Sequence, residues 1–200
     1  MLIKELVIDK NKLTNEVFAL SLVGAPATDS EFVYLSKEDI QIKMSAINQE
    51  QKIIVALAMI PDLKMPRVDK VTGEPYEVFF SQETVRDAAR MYMQREYNNE
   101  STVHHESKVE NVGVIESWIV EDPNQDKTNL YGLNAPRGSW AVIMKIDNPI
   151  VEKEIKDGVF NGISIEGSFT PVQHERTFLS KETYESVINN FKSISDGEKD

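Results

Sequence analysis

The chain has 200 residues, 40% of them hydrophobic and 28% charged, a composition typical of a globular domain that can bury a sizeable core. Its 33 acidic and 22 basic residues give a formal net charge of −11 without a concentrated basic stretch, so direct nucleic-acid binding is not expected. The absence of cysteine excludes disulfides, thiolate nucleophiles and cysteine-based metal sites. We also expect no membrane span and, since the first residues lack the apolar core of a signal peptide, a cytosolic location.

The first part of the chain reads mainly as strands. Residues 15–23 (NEVFALSLV) predict a strand that a turn containing Gly and Pro ends. Residues 31–46 predict short strands around a polar turn, and residues 52–60 (KIIVALAMI) predict a strand buried on both faces. The segment from residue 61 to residue 75 contains three prolines and many charges, so it is predicted to be an exposed loop.

The strongest helix pattern begins after Ser81, which can act as its N-cap, and its apolar stripe consists of Val85, Ala88, Ala89 and Tyr92. The segments that follow predict strands over 111–122, 139–147 and 159–169, a short helix within 149–158, a helix from Ser180 and a frayed tail over 193–200. Strands that are mostly not separated by helices predict the α+β class. We expect a mixed or antiparallel sheet or barrel with packed helices, as one domain over residues 1–192.

The strand over 111–122 carries a carboxylate in an unusual place. Strict alternation puts Glu116 on the same face as Val112, Val114, Trp118 and Val120. An ionised carboxylate on a buried face is costly unless it is paired. Two interpretations are open: an edge strand whose Glu116 reaches solvent, or a carboxylate held for a histidine partner, as in a catalytic triad.

The stretch STVHHES, residues 101–107, contains two of the three histidines of the chain. On an extended strand, His104 and His105 would point to opposite faces, so only one could serve a given site, and a shared metal is disfavoured. Catalytic and structural roles are both open for such a histidine. We expect no metal and no cofactor.

Ser164 lies in the glycine-containing strand NGISIEGSF. Its face of the strand is polar and also holds Gly162, Glu166 and Ser168. Glycine inside a strand indicates the close approach of a ligand or another backbone, or a bulge. A serine hydroxyl becomes a good nucleophile only beside a base that accepts its proton, so Ser164 requires a histidine partner.

Four stretches together resemble the phage prohead maturation proteases, specifically the XkdF-type phage serine proteases. In chain order they are TVHHES, VGVIESWIVEDP, GSWAVIMKIDNP and NGISIEGSF, and the resemblance covers residues 79–170. The segment LSLVGAPA, residues 20–27, also resembles one that many prohead proteases carry after their serine strand. Here it precedes the other stretches, which suggests a circular permutation.

The resemblance implies a fold like that of the herpesvirus assembly protease, a mostly antiparallel β-barrel with surrounding helices. It implies a serine endopeptidase with Ser164 as nucleophile and His105 as base, and His104 as an incidental neighbour. Many prohead proteases carry a glutamate at the position of Ala19. Here alanine takes that position, so either a different acid completes the site or the enzyme works with Ser164 and His105 alone. Glu116 is our candidate for the third catalytic residue.

The resemblance also implies partners and a location. The substrates would be phage scaffold and capsid proteins, and the protease itself, inside the assembling prohead in the host bacterial cytoplasm. No direct nucleic-acid or membrane partner is expected, and a homo-oligomer is left open. The alternative is a catalytically inactive structural or scaffold-interacting phage head protein of the same fold.

Overall fold

The computed structural model describes residues 2–24, 45–48, 52–160 and 162–174. Over these residues the chain is mostly β-sheet with two α-helices, which confirms the predicted α+β class. The predicted helix from Ser180, the tail over 193–200 and most of the segment over 31–46 lie outside the described residues.

The strands are β1 (Leu2–Val7), β2 (Glu16–Val23), β3 (Ser45–Asn48), β4 (Ile53–Met59), β5 (Met65–Val68), β6 (Pro75–Phe79), β7 (Ser101–Val103), β8 (Ser107–Val109), β9 (Val112–Ile119), β10 (Trp140–Ile146), β11 (Gly162–Ser168) and β12 (Thr170–His174). The α-helices are α1 (Gln82–Gln94) and α2 (Pro149–Lys156). Neither of these helices, within the described residues, is long and apolar enough to cross a membrane.

The strands form three four-stranded sheets with the orders β12-β1-β6-β5, β3-β4-β10-β9 and β11-β2-β7-β8. The sheets are mixed, because β1 pairs parallel with β6 and β2 pairs parallel with β7, whereas the other strand pairs are antiparallel. Over the described residues the three sheets do not close into one barrel. The predicted mixed sheet is thus confirmed, and the predicted barrel is not.

The segment over 61–75, predicted to be an exposed loop, contains strand β5 and is a correction to the sequence analysis. β5 pairs antiparallel with β6 although it contains Pro66. Because β5 is the outer strand of its sheet over the described residues, one side of its backbone needs no ladder partner. A proline is tolerated at such an edge.

Most side chains of the main core come from β2, β4, β10 and α1. Every residue of β4 is buried, as predicted for a strand covered on both faces: Ile54 and Ala56 contribute to the main core, and Ile53 and Val55 to a second cluster. The core therefore holds the sheet that contains β4 against the sheet that contains β2.

Helix α1 has the predicted cap and the predicted apolar stripe. The Ser81 hydroxyl oxygen accepts the backbone N–H of Thr84 at 3.3 Å, which satisfies one of the free donors of the first turn. The stripe ends at Tyr92, which is 0% exposed and whose ring centroid lies 5.3 Å from that of Trp140 in an edge-on arrangement. Burial raises the pKa of the Tyr92 phenol, and the charge of Glu100 acts in the same direction. Among the described residues this hydroxyl has no hydrogen-bond partner.

We predict that Tyr92→Phe leaves the free energy of unfolding unchanged or slightly higher, because it removes an unsatisfied buried hydroxyl and keeps the ring. Tyr92→Ala, in contrast, should lower it by about 3–5 kcal/mol through the loss of ring packing on Trp140. Urea unfolding of both variants checks this expectation. A Tyr92→Phe protein as unstable as the alanine variant would contradict it.

Candidate active site

The predicted serine lies on a strand of one sheet, and the predicted histidine lies in the turn that follows another strand of that sheet. Its strand β2 lies between β11, which runs antiparallel to it, and β7, which runs parallel. In this register Ser21 of β2 is paired with Ser164 of β11 on one side and with Thr102 of β7 on the other. Paired residues of neighbouring strands project to the same face of a sheet. The three hydroxyl side chains therefore form a row across the sheet.

The alternation of side chains explains why this row is polar. Leu20 and Leu22 of β2 and Ile163 of β11 are buried in the main core. Ser21 and Ser164 alternate with these residues and so project from the opposite face. Ser21 is fully buried, whereas Ser164 is partly exposed.

His104 and His105 lie in the turn between β7 and β8, and not in an extended strand. Their φ angles are 53° and 61°, in the left-handed region that few residues other than glycine adopt. The backbone N–H of Glu106 donates to the carbonyl of Val103 at 3.0 Å and closes the turn. Positive φ at both central residues is typical of a type I′ turn. The expectation that the histidines alternate on a strand is therefore wrong, because the backbone reverses at this point.

The backbone of this turn is tied to strand β2 by two hydrogen bonds. The N–H of His104 donates to the carbonyl of Leu22 at 3.0 Å. The N–H of His105 donates to the hydroxyl oxygen of Ser21 at 2.9 Å. The turn that carries the histidines is thereby fixed against the strand that pairs with Ser164.

The two imidazoles have different surroundings. The ring of His104 lies against the ring of Phe160, with 5.1 Å between the centroids. The Nδ1 atom of His105 lies 3.4 Å from Oε1 of Glu166, and the hydroxyl of Thr102 donates to the same carboxylate oxygen. The Glu166 side chain is only 16% exposed, so its carboxylate is held between a hydroxyl and an imidazole at the sheet surface.

Glu166 is the residue of this site that the sequence analysis did not assign. It follows Ser164 by two positions on β11, and the register pairs it with Ala19 of β2. The sequence pattern did place Glu166 on the polar face of Ser164, and this shared face is the signal that could have identified it. The sequence pattern does not predict the contact of Glu166 with His105, because that contact depends on the arrangement of three strands.

Glu116, the carboxylate selected from the sequence, lies in the sheet that contains β4, on its outer strand β9. Its side chain is 50% exposed and forms an ion pair with Lys127. The register of β9 shifts at Ile115, so that Glu116 does not continue the buried face of Val112 and Val114. The predicted apolar face is therefore wrong beyond this irregularity. The interpretation as an edge strand with an exposed glutamate is confirmed.

Gly167 marks an irregularity in the pairing of β11 with β2. The register shifts between Glu166 and Gly167, and a Cβ atom at Gly167 would lie 2.5 Å from the carbonyl oxygen of Glu16. Of the interpretations that were open for the glycines of this strand, a bulge with a closely approaching backbone is confirmed for Gly167.

A partly exposed hydroxyl, an imidazole and a carboxylate on one sheet are the groups that serine hydrolases use. Over the described residues no three histidine, aspartate or glutamate side chains are grouped so that they could hold a metal ion.

A sequence model of the family described as "Putative phage serine protease XkdF" matches residues 39–173, and the chain belongs to this family. The chain matches none of the curated proteins and none of the solved structures with which it was compared. Membership in this family supports the general assignment of the chain as a phage serine protease.

We predict that Gly167→Ala lowers the free energy of unfolding by about 1–3 kcal/mol, because its methyl group would overlap the backbone of Glu16. Ser168→Ala at the exposed neighbouring position is the control and should stay within about 0.5 kcal/mol of the wild type. Chemical denaturation measures both values. Equal stability of the two variants would argue against the close approach.

Proposed function

We propose that the protein is a serine endopeptidase in which Ser164 is the nucleophile, His105 the general base and Glu166 the group that orients the imidazole. The observation that carries this proposal is the 3.4 Å separation between His105 Nδ1 and Glu166 Oε1, on the strand that also bears Ser164. With Nδ1 directed to the carboxylate, Nε2 is the nitrogen left to accept a proton from serine, as in the Ser-His-Asp arrangement.

The spacing of the two residues on β11 fits this assignment. Residues two apart on a strand lie about 6.6–6.8 Å apart and project to the same face. An imidazole that makes one hydrogen bond at each ring nitrogen can bridge such a distance. Ser164 and Glu166 can therefore contact opposite ends of the His105 ring, which approaches from the β7–β8 turn.

The resemblance to prohead proteases supports Glu166 in particular. Many of those proteases carry a glutamate at the position of Ala19, and here Glu166 is paired with Ala19 on the neighbouring strand. The small side chain of Ala19 leaves the glutamate free to cover this position. A carboxylate could thus reach the same place from β11 instead of β2.

The proposed reaction proceeds through an acyl-enzyme. Nε2 of His105 takes the hydroxyl proton of Ser164 while the serine oxygen attacks the scissile carbonyl carbon. The imidazolium then gives this proton to the leaving amine as the C–N bond breaks. Water, deprotonated by the same imidazole, then attacks the carbonyl carbon of the ester. The ester C–O bond breaks, the imidazolium returns the proton to the Ser164 oxygen, and the acid product leaves. Glu166 remains ionised and stabilises the imidazolium.

The proposed substrate is an extended chain. Over the described residues β11 is an outer strand of its sheet, so a peptide can add to its free edge through backbone hydrogen bonds. By resemblance to prohead proteases, we assign phage scaffold and capsid proteins, and the protease itself, as substrates. Cleavage would take place within the assembling prohead in the host bacterial cytoplasm.

We extend the proposal to the fold: an arrangement like that of the herpesvirus assembly protease, circularly permuted. In prohead proteases the segment that resembles LSLVGAPA follows the serine strand. Here the first four residues of this segment, 20–23, lie in β2, which is the antiparallel neighbour of the serine strand β11. Antiparallel adjacency is what a hairpin connection would produce, so β2 has the position expected of the strand after β11.

The second candidate is an inactive head protein of the same fold. It is favoured by one observation, the replacement of the glutamate of prohead proteases by Ala19. Such a protein would bind scaffold or capsid chains without cleaving them. The following experiment separates the two candidates.

We predict that a fluorophosphonate probe labels the wild-type protein at Ser164, and that Ser164→Ala and His105→Ala each abolish labelling, because the hydroxyl is unreactive without its base. Intact-protein mass spectrometry and peptide mapping measure the modification. His104→Ala is the matched control and should react like the wild type, since the His104 ring lies against Phe160. Absence of labelling in the wild type would support the inactive head protein.

We also predict that Glu166→Gln lowers the labelling rate constant on the order of 10²–10⁴-fold, because the amide neither orients the imidazole correctly nor stabilises its cation. Glu116→Gln removes a carboxylate from a different sheet, the one that contains β4, and should leave the rate unchanged. The reverse pattern, with loss of reaction only in Glu116→Gln, would instead support Glu116 as the third catalytic residue.

A further inference from the structure

The buried hydroxyl of Ser21 has no role in the proposed acyl transfer, although it lies at the centre of the site. Ser21 is 0% exposed, and it projects from the face of β2 opposite to Leu20 and Leu22, which are both in the main core. Burying a hydroxyl away from water is unfavourable unless it forms a hydrogen bond. The oxygen of Ser21 accepts the backbone N–H of His105, a residue 84 positions further along the chain.

This hydrogen bond acts on a backbone conformation that is unfavourable on its own. His104 and His105 are consecutive residues with positive φ, a conformation that persists only where the surrounding structure enforces it. The carbonyl of Leu22 restrains the first of them and the hydroxyl of Ser21 restrains the second. Of these two anchors, only the Ser21 hydroxyl belongs to a side chain.

The strand register places Ser21 next to the proposed reacting groups. Ser21 is paired with Ser164 across β2 and β11, and neighbouring strands lie about 4.8 Å apart. One residue therefore contacts the backbone that carries the imidazole and is paired with the residue that carries the nucleophile. A change at Ser21 alters the position of His105 relative to Ser164 without removing either group.

We propose that Ser21 is a positioning residue that holds the turn of His105 in its left-handed conformation and so places the imidazole against Ser164 and Glu166. This inference rests on the proposed function. Ser21 does not react: it acts through the backbone of His105. Its loss should therefore reduce the rate of the chemical step and leave the binding of a probe unchanged.

The test compares Ser21→Ala with Ser101→Ala. Both serines are 0% exposed and lie on neighbouring strands of the same sheet. The Ser101 hydroxyl has no hydrogen-bond partner within the described residues, so its removal is a matched control for the loss of a buried oxygen. The reaction is modification by the fluorophosphonate, followed over a range of probe concentrations.

We expect Ser21→Ala to lower the maximal labelling rate about 10–100-fold, with an unchanged half-saturating probe concentration, and to accelerate hydrogen exchange at the His105 amide at least about 10-fold. Ser101→Ala should change neither quantity. Ser21→Thr, which keeps the hydroxyl, should recover most of the rate. If the added methyl group of Ser21→Thr lowers the urea midpoint of unfolding, the comparison of Ser21→Ala with Ser101→Ala alone tests the role of Ser21.

The possible outcomes distinguish a failure of the proposed function from a failure of the role of Ser21. A wild-type protein that is not labelled, or is labelled equally in His105→Ala, overturns the proposed function and this inference with it. Labelling that depends on His105 but is as fast in Ser21→Ala as in Ser101→Ala overturns the role of Ser21 alone. Loss of rate without faster exchange at the His105 amide also contradicts the role, because the anchor must act through that backbone.

Discussion

The pairing of β2 with two different strands is the constraint on which the candidate site depends. On one edge β2 holds β11 antiparallel, and on the other it holds β7 parallel. Its leucines are buried in the main core, so a slip of one residue would take them out of that core and turn Ser21 toward it. The core thus fixes the register, and the register aligns Ser164, Ser21 and Thr102. The site is a consequence of apolar packing on the opposite face of the same sheet.

The candidate catalytic residues His105 and Glu166 lie at or beside irregular parts of the backbone. The β7–β8 turn holds two residues with positive φ, and the pairing of β11 with β2 is irregular next to Glu166. Bulges and strained turns are often found beside functional sites, where they redirect a side chain that a regular strand would aim elsewhere. Here the turn directs His105 toward the carboxylate of β11, while His104 packs on Phe160.

Much of the fold follows from local pattern. The apolar run of β4, the alternation of β11, and the cap and stripe of α1 each identify an element correctly, because burial imposes a pattern that the sequence displays. The composition of β5 predicts a loop, because local composition does not reveal that a proline lies at a sheet edge, where it is acceptable. Glu116 was given the wrong face because one extra residue, Ile115, breaks the alternation. The contact of His105 with Glu166 depends on the register of distant segments and is not encoded in any single stretch.

The central place of β2 also affects how the protein is made. Residues of β2 leave the ribosome long before those of β11, and at ordinary rates of translation the delay is on the order of 10 s. During this time an apolar strand has one unpaired edge, which favours association with other nascent chains. Sheets built from such distant segments also fold slowly. Protection of this segment during translation, for example by a chaperone that binds short apolar stretches, would therefore raise the yield of native protein.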